Sequence, residues 1–322
     1  MSQDMSREED HDGGPLSTYY GLPALKKPVW KPYVPAYFYV GGVAGACAAL
    51  AAAAQLFGGA RLRHLVRRAR WIAAGGAVVS GAFLIIDLGR PSRFLYMLRV
   101  FRPTSPMNLG TWLLTAFGGA SAAAAIFGWR SAGVVAGVLG LPLTTYTAVL
   151  LSNTAVPVWN GARRTMPLLF AASAVSSAAS LLEMLPGHAS EGPLVHRLAL
   201  AGKLAELVGA EALERELASR GPGPVRAPLR GGGSGALWRL AKAITAVSAV
   251  LELLPRRRHH RIAAGVTGTL GALFLRFALL AAGRASATDP RATFQPQRAR
   301  LAARSEANTL TQPSLSDAVS AE

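Results

Sequence analysis

Long apolar segments separated by short basic or proline-rich breaks are the dominant pattern of this chain. Blocks of about 20 residues rich in Ala, Gly and Leu recur along most of its length, and such blocks can cross a bilayer core of about 30 Å. The pattern therefore predicts about eight transmembrane helices. Their approximate bounds are Ala36–Phe57, Trp71–Leu88, Asn108–Phe127, Gly133–Leu151, Met166–Leu185, Leu194–Leu213, Ala236–Leu254 and Ile262–Ala282.

These spans predict an all-α polytopic membrane protein with two four-helix bundles. The first bundle is expected over residues 36–160 and the second over residues 161–284. An extended N-terminal arm (residues 1–35) precedes them, because its many prolines prevent a regular helix, and a polar C-terminal tail (residues 285–322) follows. Residues 1–18 are acidic and polar, so no signal peptide is expected and insertion would rely on the first span.

Charge adds a prediction of orientation. The formal net charge is +17 and the mean hydropathy is +0.29. The arginines lie mostly in the short breaks, where they anchor helix ends, so nucleic-acid binding is not expected. The basic loops Arg61–Arg70 and Arg256–Arg261 favour the cytoplasm. The opposite side, called the arm side because it carries the N-terminal arm, is expected to face outward from a bacterial plasma membrane, although its loops also contain arginines.

The cysteine and histidine content limits the cofactors. Cys47 is the only cysteine, so this chain alone is expected to hold neither an iron–sulfur cluster nor a disulfide. The six histidines lie outside the middle of the predicted spans, so a haem held by paired intramembrane histidines is not expected either. Electrons that pass through the protein would have to reside on a partner or on a diffusible carrier.

The polar segment from Asp87 to Asn108 joins two predicted spans. Ionisable groups at this depth are costly and usually have a partner or a function. The segment can be one wall of a functional site, or a capped turn whose arginines reach the lipid head groups; both interpretations stay open. Helix alternation places further polar and aromatic residues within about two turns of the same arm side. The set comprises Asp87, Arg90, Arg93, Asn108, Trp112, Tyr146, Asn153 and Trp159.

Three carboxylates in the second half raise a separate possibility. Glu183 and Glu252 are predicted near the basic side and Glu206 near the middle of the membrane. Carboxylates at graded depths in the membrane can form a proton path, or they can simply lie at the ends of helices. Lys203 and Glu206, at i,i+3 spacing, can neutralise each other.

Several motifs together resemble one family. They are Pro35-Ala36-Tyr37-Phe38-Tyr39-Val40-Gly41-Gly42, Asp87-Leu88-Gly89-Arg90-Pro91 with Arg93-Phe94, Ser105-Pro106-Met107 with Gly110 and Trp112, and Tyr146–Ser152 with Val156-Pro157 and Trp159. Over about residues 18–185 the chain resembles the membrane subunits of the NrfD/polysulfide reductase family, and the second half matches loosely.

The resemblance implies a quinone-reactive membrane anchor with no prosthetic group of its own. It implies menaquinone or ubiquinone as the substrate, a ferredoxin-like iron–sulfur partner subunit and usually a molybdopterin catalytic subunit. It also places the quinone pocket in the first bundle, near the partner's docking face. One departure is that some family members hold the quinone with a His and an Asn of the first span, whereas this span has Tyr37 and no His. Either Tyr37 or Asp87 takes that role, or the quinone is held differently.

A quinone site needs a hydrogen-bond donor at a carbonyl and a route for protons. Tyr146 is the expected donor and Asp87 the expected proton acceptor, held in its charged form by Arg90 or Arg93. The quinone-binding residues are expected to be Tyr37, Arg90, Arg93, Asn108, Trp112, Asn153 and Trp159, and the proton path is expected to use Glu183, Glu206 and Glu252. Three alternatives stay open: a helix–helix hydrogen bond from Tyr146, an ion-translocating subunit that also uses Lys203 and Arg276, and a purely structural anchor.

Overall fold

The computed structural model describes residues 25, 28, 30, 32–90, 92–219, 223–255, 257–294 and 301. Most of the predicted arm and tail, with Pro91, lies outside these residues. The described part forms eleven α-helices and no strand. They are α1 Tyr33–Phe57, α2 Arg63–Leu88, α3 Ser92–Arg99, α4 Pro106–Ile126, α5 Arg130–Ser152, α6 Pro157–Gly161, α7 Thr165–Met184, α8 Gly192–Ser219, α9 Ala227–Arg230, α10 Gly232–Leu253 and α11 Arg258–Thr288.

Six of these helices are long and apolar enough to cross a membrane: α1, α2, α4, α5, α7 and α11. Helices α8 and α10 have 28 and 22 residues but carry more charge within their length. The all-α membrane fold is thus confirmed. Six of the eight predicted spans have the length and hydropathy of membrane-crossing helices, and the count of eight stays a prediction. Crossing by α8 and α10 stays a prediction.

The long helices pack in two groups of four. Helices α1, α2, α4 and α5 contact one another, as do α7, α8, α10 and α11, and α1 contacts both α7 and α11. Small residues allow the closest approach, since a Cβ atom on Gly45 of α1 would lie 2.5 Å from the carbonyl oxygen of Gly140 on α5. The predicted boundaries at residues 35, 160 and 284 stay predictions.

Helix α2 begins earlier than the hydrophobic pattern predicts. It starts at Arg63 rather than Trp71, so most of the predicted basic loop is helical. Arginine has a high helix propensity, and the helix therefore continues beyond its apolar part.

The connection between α2 and α4 is well defined. Helix α2 ends at Gly89, whose φ of 72° is the left-handed conformation that glycine adopts without strain. Helix α4 begins after Ser105, whose hydroxyl accepts a hydrogen bond from the Asn108 amide at 3.4 Å, and Pro106 occupies the first turn. These caps bring Asp87, at the end of α2, beside the start of α4.

Candidate functional site

A narrow cleft lies between α1, α2, α4 and α5 near the arm side. Its walls are mostly aromatic and aliphatic, and its polar groups come from two tyrosines, one aspartate and one threonine. The lining residues are Trp30, Val34, Tyr37, Phe38, Phe83, Leu84, Asp87, Met107, Gly110, Thr111, Tyr146 and Leu150. The combination of an apolar wall with a few convergent polar groups is typical of a small-molecule site.

Tyr146 reaches the cleft from α5 and packs against α4. Its hydroxyl donates a hydrogen bond to the carbonyl oxygen of Pro106. The ring fits only because position 110 is glycine: a Cβ atom there would collide with the phenol of Tyr146. The predicted helix–helix hydrogen bond of Tyr146 therefore exists, and the same hydroxyl also lies in the cleft wall.

Tyr37 and Asp87 supply the other polar groups at this point. Tyr37 is 6% exposed on α1, and Asp87 is half-buried at the end of α2. Within the described residues, neither the Tyr37 hydroxyl nor the Asp87 carboxylate has a hydrogen-bond partner. A polar group without a partner in a largely apolar wall is available to a ligand or to water.

The two predicted arginine partners of Asp87 lie elsewhere. Arg90 and Arg93 are exposed, and Arg93 donates to the carbonyl oxygen of Leu88 at 3.3 Å, which caps the end of α2. Neither forms an ion pair with Asp87. The expected pairing of Asp87 with one of these arginines is therefore not seen, and Arg93 is engaged with the carbonyl oxygen of Leu88 instead.

Asn108 stabilises the loop rather than lining the cleft. Its side-chain nitrogen donates to the backbone carbonyl oxygens of Met97 at 2.6 Å and Val100 at 3.0 Å. Its side-chain oxygen accepts from the backbone amide of Arg102 at 2.7 Å. With these three bonds the amide has little capacity left for a ligand. These contacts give Asn108 a structural role, and its predicted contact with a quinone stays a prediction.

Three further predicted residues also lie outside the cleft. Trp112 is 37% exposed and packs edge-on against Phe101. Asn153 is exposed at the end of α5. Trp159 is fully buried, and its indole donates to the carbonyl oxygen of Leu279 at 2.8 Å. Its ring is stacked on Trp30 at 5.3 Å, so Trp159 supports the cleft wall from behind.

Sequence reasoning missed several lining residues. Trp30 belongs to the arm, which the prolines predict only to be extended. Gly110 was noted as part of a motif, but its contact with Tyr146 depends on the packing of α4 on α5. Phe38 was likewise noted only as part of a motif, and Phe83 looks like any other apolar residue of its span.

A second polar cluster lies in the other group of helices, near the basic side. His196 Nδ1 is 2.9 Å from a Glu252 oxygen and 3.7 Å from a Glu183 oxygen. Lys203 contacts the other Glu252 oxygen. Glu183, Glu252 and Lys203 are buried, and His196 is half-buried. The spacing allows Lys203 to pair with Glu206 of the same helix, but Lys203 contacts Glu252 of α10 instead.

Glu206 lies apart from this cluster. The Thr245 hydroxyl lies 3.5 Å from one of its oxygens, and the buried Arg276 interacts with it electrostatically. Of the three predicted carboxylates, Glu183 and Glu252 thus come together and Glu206 occupies a separate position on α8.

A cavity of about 270 Å³ adjoins the cluster on the basic side. Glu183 lines it together with Glu191, Arg68, His188 and Arg261. Glu183, His196 and Glu252 could in principle offer three ligand atoms to a metal ion. The Lys203 ammonium, however, already contacts Glu252 and would repel a cation. The cluster is better suited to exchanging protons than to holding a metal.

The fold and the cleft define a multi-pass, all-helical membrane protein. Its candidate site is a mostly apolar cleft with a few polar side chains, near the arm side. The family model described as polysulphide reductase, NrfD, matches residues 23–192. The chain belongs to this family, as its motifs predicted. The matched region contains the whole cleft.

One solved structure shows a related fold. The bd oxidase from Geobacillus thermodenitrificans matches with a TM-score of 0.55 and 13% sequence identity, over 77% of this chain and 82% of that chain. At this identity the likeness concerns the fold alone. No curated protein sequence matches the chain.

Proposed function

We propose that this protein is the quinone-reactive membrane subunit of a respiratory oxidoreductase complex in the bacterial plasma membrane. The observation that carries the proposal is the convergence of Tyr37, Asp87 and Tyr146 in an otherwise apolar cleft of the family-matched region. The apolar wall suits the ring and tail of a quinone, and the polar groups can hydrogen-bond to the two oxygens of the ring.

The three side chains have different roles in this proposal. The hydroxyls of Tyr37 and Tyr146 donate hydrogen bonds to quinone oxygens. Asp87 exchanges protons with the solvent at the arm side. Oxidation of one quinol releases two electrons and two protons, and reduction of one quinone consumes the same, so a proton acceptor beside the ring serves either direction.

The cleft must widen when it binds a ring. Its free volume is about 50 Å³, whereas ligand pockets typically measure ~300–1,000 Å³. Tyr146 and Trp30 are the side chains whose movement would open it. In the proposal Tyr146 exchanges its bond to Pro106 for one to the quinone, so little hydrogen bonding is lost.

The proposed partners are those that membership of the family implies. A ferredoxin-like iron–sulfur subunit would dock on the arm side, facing outward, and take or give the electrons. A molybdopterin catalytic subunit would complete the complex. Menaquinone and ubiquinone both fit the chemistry of the cleft.

Quinone titration of the purified protein tests the proposal. Binding of a short-chain menaquinone analogue should quench tryptophan fluorescence, since Trp30 lies in the wall. Tyr146→Phe should weaken binding by about fivefold or more, because a quinone oxygen that is buried without its donor costs about 1–3 kcal/mol. Tyr96→Phe is the control, because it removes a hydroxyl from an exposed residue of α3. Absence of saturable quenching would contradict a quinone site in this cleft.

The second cluster supports a second candidate function, proton translocation. Lys203 balances one of the two buried carboxylates, Glu183 and Glu252, and a proton held within the cluster would balance the other. The cluster would therefore hold one exchangeable proton beside a cavity on the basic side. Glu206 and Arg276 would extend the path towards the first group of helices.

This candidate predicts a separable defect. In proteoliposomes that contain the native complex, the double variant Lys203→Met/Glu252→Gln should lower proton transfer per quinone turned over while leaving quinone binding intact. Glu211→Gln, at a half-exposed position of the same α8, is the matched control. An unchanged proton yield in the double variant would remove the cluster from any proton path.

A further inference from the structure

The beginning of α2 on the basic side carries an excess of positive charge. Five arginines lie within ten residues: Arg61, Arg63, Arg67, Arg68 and Arg70. Arg68 pairs with the buried Glu191 at 2.5 Å, and Arg70 donates to the Ala124 carbonyl oxygen at 3.0 Å. Arg61, Arg63 and Arg67 are exposed and have no carboxylate partner among the described residues.

Two neighbouring cavities meet at Arg67. The first, of about 510 Å³, is lined mainly by cationic and imidazole side chains: Ala60, Arg61, Arg63, His64, Arg67 and His188. The second, of about 520 Å³, is amphipathic and lined by Arg67, Arg68, Trp71, Ile72 and Leu185. The protein thus places a strongly basic cavity directly beside one that has apolar walls.

The chemistry of each cavity fits one part of a phospholipid. Guanidinium groups bind phosphate through paired, charge-assisted hydrogen bonds. Trp71 is 54% exposed, and an indole at the membrane–water boundary is typical of lipid-facing anchors. Ile72 and Leu185 offer apolar contacts for the first methylene groups of acyl chains.

We propose that this surface binds an anionic phospholipid whose head group carries two phosphates, as in diphosphatidylglycerol. Within the described part of the chain, three guanidinium groups have no carboxylate partner, and their charge exceeds that of a single phosphate. A head group with two phosphates neutralises more of it. Basic pockets on the cytoplasmic side of membrane proteins bind such head groups. Free inorganic phosphate shares the head-group chemistry but lacks the acyl chains that the second cavity would hold.

The site is preorganised by a contact between the two groups of helices. The Glu191 carboxylate accepts from the backbone amide of Leu65 at 2.6 Å and from Arg68, which fixes the start of α2 to the loop before α8. Leu185 and His188 come from the second group of helices, and the arginines from the first. A bound lipid would therefore contact both groups and stabilise their association.

The test uses delipidated full-length protein in detergent and measures the thermal unfolding midpoint and lipid retention by native mass spectrometry. The probes are diphosphatidylglycerol, phosphatidylglycerol at equal phosphate, phosphatidylcholine and inorganic phosphate. The two-phosphate lipid should raise the midpoint most, and phosphate alone should leave it unchanged. A variant with Arg61→Gln, Arg63→Gln and Arg67→Gln should bind this lipid about tenfold more weakly, or worse, because it loses several charge-assisted bonds.

The control removes three exposed arginines from the arm side: Arg99→Gln, Arg102→Gln and Arg163→Gln. It has the same net charge as the test variant and should keep the lipid response. If the triple variant unfolds early, Arg67→Gln alone, at the junction of the cavities, should show a smaller loss. Equal responses of both triple variants, an equal effect of inorganic phosphate, or no preference for the two-phosphate lipid would each overturn the proposal.

Discussion

Gly110→Ala adds a single methyl group to the wall of the cleft and tests how closely Tyr146 packs against α4. The added Cβ atom would collide with the phenol ring of Tyr146, which would have to turn away from the Pro106 carbonyl oxygen. Such overpacking typically costs about 1–3 kcal/mol. The added methyl also occupies part of a cleft of about 50 Å³.

The expected result is a destabilised protein with impaired quinone binding. A loss of about 1–3 kcal/mol in the site corresponds to roughly 5- to 150-fold weaker affinity, at tenfold per 1.4 kcal/mol. Thermal unfolding in detergent reports the stability, and fluorescence titration with a menaquinone analogue reports the affinity.

Gly119→Ala is the matched control. It lies on the same α4, and nothing comes within 4 Å of a Cβ atom there. This substitution should be neutral or slightly stabilising, because alanine has the higher helix propensity. A double-mutant cycle adds a second control, since Gly110→Ala should cost little in a Tyr146→Ala background. Equal effects of Gly110→Ala and Gly119→Ala would refute the packing described for Tyr146. So would a cycle in which the effects of Gly110→Ala and Tyr146→Ala simply add.

Three further outcomes follow from individual contacts. Lys203→Met alone should destabilise the protein by about 3–5 kcal/mol in thermal or chemical unfolding, because it leaves buried carboxylates without their cation. The double variant Lys203→Met/Glu252→Gln should recover much of this loss, and an equal loss in both variants would contradict the pairing of Lys203 with Glu252. Asn108→Ala should speed tryptic cleavage after Arg99 and Arg102, because the loop loses three hydrogen bonds of about 0.5–1.5 kcal/mol each; an unchanged cleavage rate would show that the loop is held otherwise. Trp159→Phe should lower the unfolding midpoint through loss of the bond to Leu279 and weaken quinone binding only moderately, because Trp159 acts through Trp30; a complete loss of binding would indicate direct contact with the quinone.

The helices were predictable because apolar blocks of bilayer length leave little choice of structure. The turn after Asp87 was equally readable, since Gly89 and Ser105-Pro106 are strong local signals for the end of one helix and the start of the next. The start of α2 was predicted too late, at Trp71, because hydropathy identifies the membrane part of a helix and not its full length. The arginines before Trp71 are helical but not apolar.

The cleft was predictable only in part, because tertiary contacts decide it. Tyr37, Asp87 and Tyr146 were expected at one site and lie in the walls of one cleft. Asn108 and Trp159 were expected beside them, but backbone carbonyls of neighbouring segments occupy their polar groups. Lys203 shows the same effect, since a local i,i+3 partner was outcompeted by Glu252 from another helix. No spacing rule within one helix contains that information.

Photoaffinity labelling with a quinone that carries a photoreactive group on its ring would locate the quinone site. A quinone bound in the cleft should label the segments that contain Tyr37, Met107 and Tyr146, and excess menaquinone should abolish these labels. Labelling confined to α8, α10 and α11, or labelling that menaquinone does not displace, would contradict a quinone site in this cleft.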